Sequence, residues 1–376
     1  MTFLPDAPWA ALGLARVVNA AGKMTYLGSS AVSAPVAEAL SAGARSYVDM
    51  AQLKEVAARR AADLVGAPAA CIVSCAAAGI VQAVAAAITG TDLALIEQVP
   101  FVDVPRREVV LQKSHAIHFG APLTQMVRLG GGVVVEIGSA NRAAQQNLEA
   151  ALGDRTAAVL FAVTHHARPE IALALDAVVA AAHARGVPVI VDAAAETDLR
   201  RFLALDADLV IYSGHKAIGG PTSGLVVGPP SLVAACAAQE DGAGRAMKVG
   251  KETIAGLLAA LEQYVCGEPA SPADMEVRLG AVVAAAGDNL PVSMSTAWDA
   301  SRPIPRLRIH VKETSPVTAR ELTGLLEASH PSIRTRNHDI DRGVIVVDPR
   351  ELDMDEAALV GATLRSVLEE RTGDSQ

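Results

Sequence analysis

Between residues 70 and 230 the chain alternates short, nearly continuous apolar runs with alanine-rich stretches of helical length. The runs are Ala70–Val73, Val109–Gln112, Val133–Ile137, Ala157–Ala162, Pro188–Asp192, Asp208–Tyr212 and Gly224–Gly228. Ala76–Ile88, Arg142–Leu152 and Leu175–Arg185 supply helix-length segments between them. This alternation predicts βαβ units and a mainly parallel sheet with helices on both faces. The runs are apolar throughout rather than at every second residue, as strands covered on both sides require. Upstream, Asp49 caps a predicted helix with Gln52 in capping-box position, and Leu53, Val56, Ala57 and Leu64 share its inner face. Downstream, Ile254–Tyr264 reads as a long helix. Beyond residue 270, strands such as Arg306–Val311 and Gly343–Val347 precede a final helix with Val360, Leu364, Val367 and Leu368 on one face. The expected organisation is an N-terminal segment over 1–30, a large α/β domain over 31–250, and a smaller α+β domain over 251–376 that includes the connecting helix.

Composition refines this picture. Aromatic residues make up only 3% of the 376 while hydrophobic residues make up 51%, so the core must be built from Ala, Val, Leu and Ile in close helix-on-sheet packing. With 32 Lys and Arg against 41 Asp and Glu, the net charge of −9 argues against an electrostatic nucleic-acid binder. Cys71, Cys75, Cys236 and Cys266 form no metal-ligand pattern and read as small apolar residues in a reducing compartment. The first residues lack the basic and apolar regions of a signal peptide, and Ala76–Gly90 is too short to span a bilayer. The expectation is a cytoplasmic protein with neither membrane nor metal.

The polar residues at the ends of the apolar runs carry the chemistry. Asp192 ends one run, and Lys216 follows the next in Ser213-Gly-His215-Lys216. Both fall at the carboxyl edge of the predicted sheet, where open α/β sheets bind ligands. A lysine partly desolvated there can form a Schiff base, and a buried carboxylate can hold a proton on a pyridine nitrogen. Taken alone, each reads better as a surface-turn lysine or a helix-capping aspartate. Ser74-Cys75-Ala76-Ala77-Ala78 adds small residues opening a helix, a place where free N–H groups meet an anion, and Ser213 could add a hydroxyl. His115 follows a third run and could cover an aromatic ring. Thr164, His165 and His166 follow a fourth, and only one of the adjacent histidines can face the crevice.

These strand ends resemble the fold-type I pyridoxal-phosphate enzymes. Within them the chain resembles the selenium transferase-like branch, and particularly its D-glucosaminate-6-phosphate ammonia lyases. The resemblance rests on Val18–Gly28, Tyr47–Leu53, Val191–Glu196, Tyr212–Ile218 and Met247–Glu252. It implies that Lys216 is the Schiff-base lysine, Asp192 the pyridinium partner and His115 the stacking residue. It also implies that Ser74, Cys75, Ala76, Ala77, Ala78, Ser213 and His215 surround pyridoxal 5'-phosphate. The ammonia-lyase pattern has a basic and an amide residue where Ala116 and Ile117 stand here, and an arginine where Gly219 stands. Both departures remove polar groups from the substrate side, which favours a less charged amino acid over a phosphorylated sugar acid. The Ser-Gly-His-Lys run is also similar to class V aminotransferases and cysteine desulfurases, but no cysteine lies in a desulfurase-type loop.

The resemblance implies a Cα carbanion of an amino acid or amino sugar acid, followed by α,β-elimination to ammonia and a keto acid. Racemisation (or epimerisation) and transamination are the alternatives on the same scaffold. Tyr26, Thr164, His165 and His166 are candidates for a second acid, and Arg245, Lys248, Arg306 and Arg308 for a substrate anion. Selenium transfer to tRNA is not expected, because the Val18-Asn19 motif comes almost at once and the charge is acidic. The family also implies a homodimer or higher homo-oligomer.

Overall fold

The computed structural model describes residues 9–164, 172–267, 271–299 and 303–373. Residues 32–267 form one compact unit, and the chain before and after them forms a second. The first strand, β1 (Val17–Ala20), belongs to the smaller unit. The larger unit then supplies β2 (Ala69–Val73), β3 (Glu108–Gln112), β4 (Val133–Ile137), β5 (Thr156–Ala162), β6 (Val189–Asp192), β7 (Leu209–Ser213) and β8 (Gly224–Gly228). Its helices are α1 (Ala34–Arg45), α2 (Met50–Val65), α3 (Ala76–Thr89), α4 (Leu93–Ile96), α5 (Leu123–Leu129), α6 (Gln145–Ala151), α7 (Leu175–His183), α8 (Pro230–Ala238) and α9 (Lys251–Cys266).

The seven predicted runs all pair in one sheet, in the order β2-β8-β7-β6-β5-β3-β4. All neighbours are parallel except those of β8, which runs antiparallel to both β2 and β7. The reason lies in chain length. Only residues 214–223 join β7 to β8, too few for the crossover a parallel partner needs. Cys71, Val73, Leu111, Leu160, Ile190, Ile211 and Val226 form one core with α3. Ile72, Val110, Val159, Val191, Val210, Tyr212 and Leu225 form another with residues of α2, α7 and α9. Side chains at alternate positions thus fill two cores, which is why the runs lack a polar face.

Asp49 caps α2 as expected, accepting from the Gln52 N–H at 2.9 Å. Ala57 and Leu64 are buried, but Val56 is 49% exposed, because α2 turns Ala61 and Ala62 inward instead. The predicted helix at Arg142 begins only at Gln145, since Ser139 and Arg142 close a tight turn after Gly138. The predicted boundary at 250 also shifts, and α9 falls in the larger unit. Arg60 pairs with Glu262 at 2.8 Å, Lys251 donates to the Gly43 carbonyl at 2.7 Å, and Gly256 sits against Leu40, so α9 packs on α1 and α2.

In the smaller unit, β1 pairs in parallel with a strand over Ser332–Thr335. A second sheet has the order Val344–Val347, Pro305–Val311, Val292–Trp298. Helices over Pro272–Ala286, Ala319–Ala328 and Met354–Gly373 cover them. Val360, Leu364 and Leu368 are buried in this core, with Val367 at its margin. Among the described residues, no helix is long and apolar enough to cross a membrane.

Candidate active site at the sheet edge

Because β2, β3, β5, β6 and β7 run in one direction, their carboxyl ends lie along one edge of the larger unit. The chain leaves β3 toward β4 on one side and continues from β5 toward β6 on the other, so the order reverses between β3 and β5. Ligands bind open α/β sheets at such a reversal.

The loop that turns β7 back into β8 carries Lys216 and is closely stitched. Gly214 N–H donates to Ser223 O at 2.8 Å and Gly220 N–H to Gly214 O at 2.7 Å. Gly219 takes a positive φ of 74°, which a side chain would resist. His215 and Lys216 are half-buried at the head of this loop.

An anion cradle lies beside it. Cys75 is the N-cap of α3, its sulfur accepting from Ala78 N–H at 3.4 Å, and Ser74 precedes it. Val73, Gly224 and Ser213 stand side by side across β2, β8 and β7. Ser213 shares the face of Ile211, which packs on Gly79 of α3, so its hydroxyl lies on the side of the α3 N-terminus. That hydroxyl belongs to a residue only 2% exposed and has no hydrogen-bond partner among the described residues. Gly224 leaves room between them, since a Cβ there would lie 2.7 Å from the Cys75 carbonyl carbon. A buried hydroxyl without a partner costs about 1–3 kcal/mol. A phosphate oxygen at the helix N-terminus would satisfy it.

Asp192 ends β6 on the same face as Ile190. Burial pushes its carboxyl above the ordinary carboxylate range, and the Ala194 N–H at 3.1 Å and the Lys216 charge offset this only in part. A buried acid with that affinity for a proton suits a cationic ring N–H as partner. His115 ends a short 3-10 turn after β3 and is 2% exposed. Ala162 N–H donates to its Nδ1 at 3.3 Å, and Phe161 meets it edge-to-face at 4.6 Å. Burial pulls its pKa down to about 4, so the ring is neutral at pH 7. Phe161 and Gly224 carry no sequence signal, because their roles come from neighbours on other strands. Gln112 likewise clamps the returning chain by accepting from Leu173 N–H at 2.6 Å.

The remaining candidates are scattered. Thr164 follows β5 at this edge and is half-buried, while His165 and His166 lie outside the described residues. Arg245 and Lys248 are exposed. The turn carrying Arg245 packs beside Gln239, which bonds Thr89 at the far end of α3 from the cradle. Tyr26 belongs to the smaller unit and is 63% exposed. Arg306 and Arg308 also lie there, lining a cavity of about 160 Å³ with Trp298, Arg336 and His338. Arg306 pairs with Asp299 at 2.7 Å and Asp348 at 3.1 Å, and Arg308 with Asp339 at 2.9 Å.

Strand order, the short lysine loop and a site at the reversal place the chain among the fold-type I pyridoxal-phosphate enzymes. The fold extends to a Sphingomonas wittichii serine palmitoyltransferase, at TM-score 0.56 and 13% identity over 94% of this chain and 88% of that one. Residues 17–279 match the L-seryl-tRNA selenium transferase (SelA) family, and the chain belongs to it. It is 40% identical to D-glucosaminate-6-phosphate ammonia lyase of Salmonella typhimurium strain 14028s, over 95% of this chain and 97% of that one. It is 41% identical to a Streptomyces 5'-C-glycyluridine monooxygenase-decarboxylase, over 96% and 92%. A solved structure of D-glucosaminate-6-phosphate ammonia-lyase superposes at TM-score 0.90 and 39% identity, covering 97% of this chain and 98% of that one. The expected branch and fold class are borne out.

Proposed function

We propose that the protein is a pyridoxal-phosphate-dependent carbon–nitrogen lyase that releases ammonia and a keto acid from an amino acid or amino sugar acid. The observation that carries this reading is the pairing of a lysine with a buried, proton-seeking aspartate beside a buried, unpartnered Ser213 hydroxyl at a helix N-terminus, on a chain similar over nearly its whole length to an ammonia lyase. Pyridoxal phosphate, when bound, supplies an aldehyde that condenses with amines and a ring that withdraws electrons from Cα.

The protein supplies the rest. Ser213 and the first N–H groups of α3 bind the phosphate, and Asp192 holds a proton at the ring nitrogen. His115, neutral and pinned by Ala162 and Phe161, covers the ring. Lys216 Nζ removes the proton from Cα of the substrate. With a leaving group at Cβ, elimination follows, and the released enamine hydrolyses to a keto acid and ammonia. Thr164, His165 or His166 returns a proton, whereas Arg306 and Arg308, already paired with aspartates, are not assigned to the substrate anion. The absence of basic side chains at Ala116, Ile117 and Gly219 supports a substrate with little charge on that side. The acidic net charge supports a small molecule over tRNA. Tyr47, Val48, Met50 and Phe101 are exposed apolar residues of the larger unit, and their exposure supports a homodimer in which a second copy covers them. We place the enzyme in the cytoplasm.

The test is a screen of β-substituted amino acids and amino sugar acids that follows ammonia, keto acid, carbon dioxide and Cα–H exchange together. The reading predicts equimolar ammonia and keto acid without oxygen uptake. Carbon dioxide release with oxygen consumption, or loss of chirality with no ammonia, would overturn the lyase assignment.

A further inference from the structure

The four cysteines differ sharply in their surroundings. Cys71 and Cys236 are buried in the α3 core, and burial pushes the Cys71 thiol up to about 12 and Cys236 upward as well. Thiols held protonated in an apolar core are inert. Cys266 is exposed at the end of α9. Cys75 is different, because it is half-exposed and its sulfur caps α3 by accepting from Ala78 N–H. A phosphate at this helix end needs the same first-turn N–H groups. The Ser213 hydroxyl, buried on the same face without a partner among the described residues, marks the place as built for an anion rather than closed by the thiol. Gly224 leaves no side chain between Ser213 and the Cys75 backbone.

We propose that Cys75 is a modification site inside the cofactor cradle. Small electrophiles and peroxide reach its sulfur only while the cradle lacks a phosphate, and the modified sulfur then bars the phosphate. The inference rests on the cofactor reading given above. With hydrogen peroxide the sulfur loses two electrons and becomes a sulfenic acid, while the peroxide is reduced and one of its oxygens leaves as water. The added oxygen occupies the space in front of the α3 N–H groups. Cofactor loading and oxidation of Cys75 therefore exclude each other, which makes the empty enzyme sensitive to oxidants and the loaded enzyme resistant.

The test uses the full-length protein freed of cofactor and treated with iodoacetamide or, in parallel, with hydrogen peroxide followed by dimedone. Labelled cysteines are identified by peptide mass, and cofactor uptake is read from the visible band that appears when pyridoxal phosphate is added. With pyridoxal phosphate at about ten times its Kd, labelling of Cys75 should slow about tenfold, in proportion to the unoccupied fraction. Labelling of Cys266 should not change. Wild-type protein labelled in advance should fail to develop the band. Treated Cys75→Ser should develop the same band as untreated Cys75→Ser, whatever its size, since serine is itself a favoured N-cap but offers no thiol to label. Unchanged labelling of Cys75 in protein that shows the band would overturn the proposal, as would normal cofactor uptake by labelled wild type. No band even in untreated protein would instead remove the cofactor reading, and the proposal with it.

Discussion

Asp192 and Asp348 are both buried aspartates, one in each unit, and their environments drive them in opposite directions. Burial pushes both carboxyls up. Around Asp348 the push is outweighed. Arg350 binds it at 2.8 Å, Arg306 at 3.1 Å and Arg336 at 3.7 Å, and the carboxyl is held below its usual range. Around Asp192 there is one backbone N–H and the charge of Lys216, and the carboxyl stays raised. Asp348 is a finished ion cluster that joins strand ends within the smaller unit. Asp192 is an unfinished one, beside an equally unfinished hydroxyl at Ser213. Buried polar groups left incomplete are expected where a ligand completes them.

The sharpest way to break this contrast is to remove the groups one at a time. Lys216→Ala should reduce ammonia release at least about 10⁴-fold, while the thermal midpoint of the cofactor-free protein stays nearly unchanged. Asp348→Asn should destabilise the smaller unit by about 3–5 kcal/mol in urea unfolding, because three guanidinium groups lose their anion. Asp192→Asn should do the reverse. Turnover should fall about 10²- to 10⁴-fold, yet the cofactor-free protein should be as stable as wild type or more so at neutral pH. Equal destabilisation by both asparagine variants would erase the distinction.

The pH dependence follows from the same signs. The lowered Asp348 contributes stability above the ordinary carboxylate range and loses it as pH falls through its own lower value. The raised Asp192 contributes at low pH and loses its contribution as pH rises through its raised value. His115, at about 4 against an ordinary 6.5, favours the fold only while neutral. The cofactor-free protein should therefore lose on the order of 3 kcal/mol between pH 6.5 and 4, and His115→Gln should flatten that slope. The smallest effect is expected at Ser213→Ala, which removes an unpartnered hydroxyl. Cofactor-free stability should rise by up to about 1 kcal/mol, while cofactor affinity, read by spectral titration, weakens about tenfold.

The sheet was legible because its strands are buried on both sides and announce themselves as continuous apolar runs. Val292–Trp298 was not, since its residues are mostly exposed or half-exposed and Ser293, Ser295 and Thr296 interrupt the pattern. The pairing of Val17–Ala20 with Ser332–Thr335 joins chain segments more than 300 residues apart and leaves no local mark. Within the site, Lys216, Asp192 and His115 could be read from their places at strand ends. Phe161 and Gly224 could not, because one acts through an edge contact from β5 and the other through the side chain it lacks. Arg306 is one of four cations the sequence offers for a substrate anion, whereas two aspartates already hold it, a fact set by strand register rather than by any motif.

The proposed function requires that pyridoxal phosphate joined to Lys216 complete the polar groups at the sheet edge. Its most direct test is to mix the protein with pyridoxal phosphate, reduce with borohydride, and map the modified peptide by mass. A single reduced adduct should appear on the peptide containing Lys216 and be absent from Lys216→Ala. An adduct spread over surface lysines, or none at all alongside an unchanged visible spectrum, would contradict it.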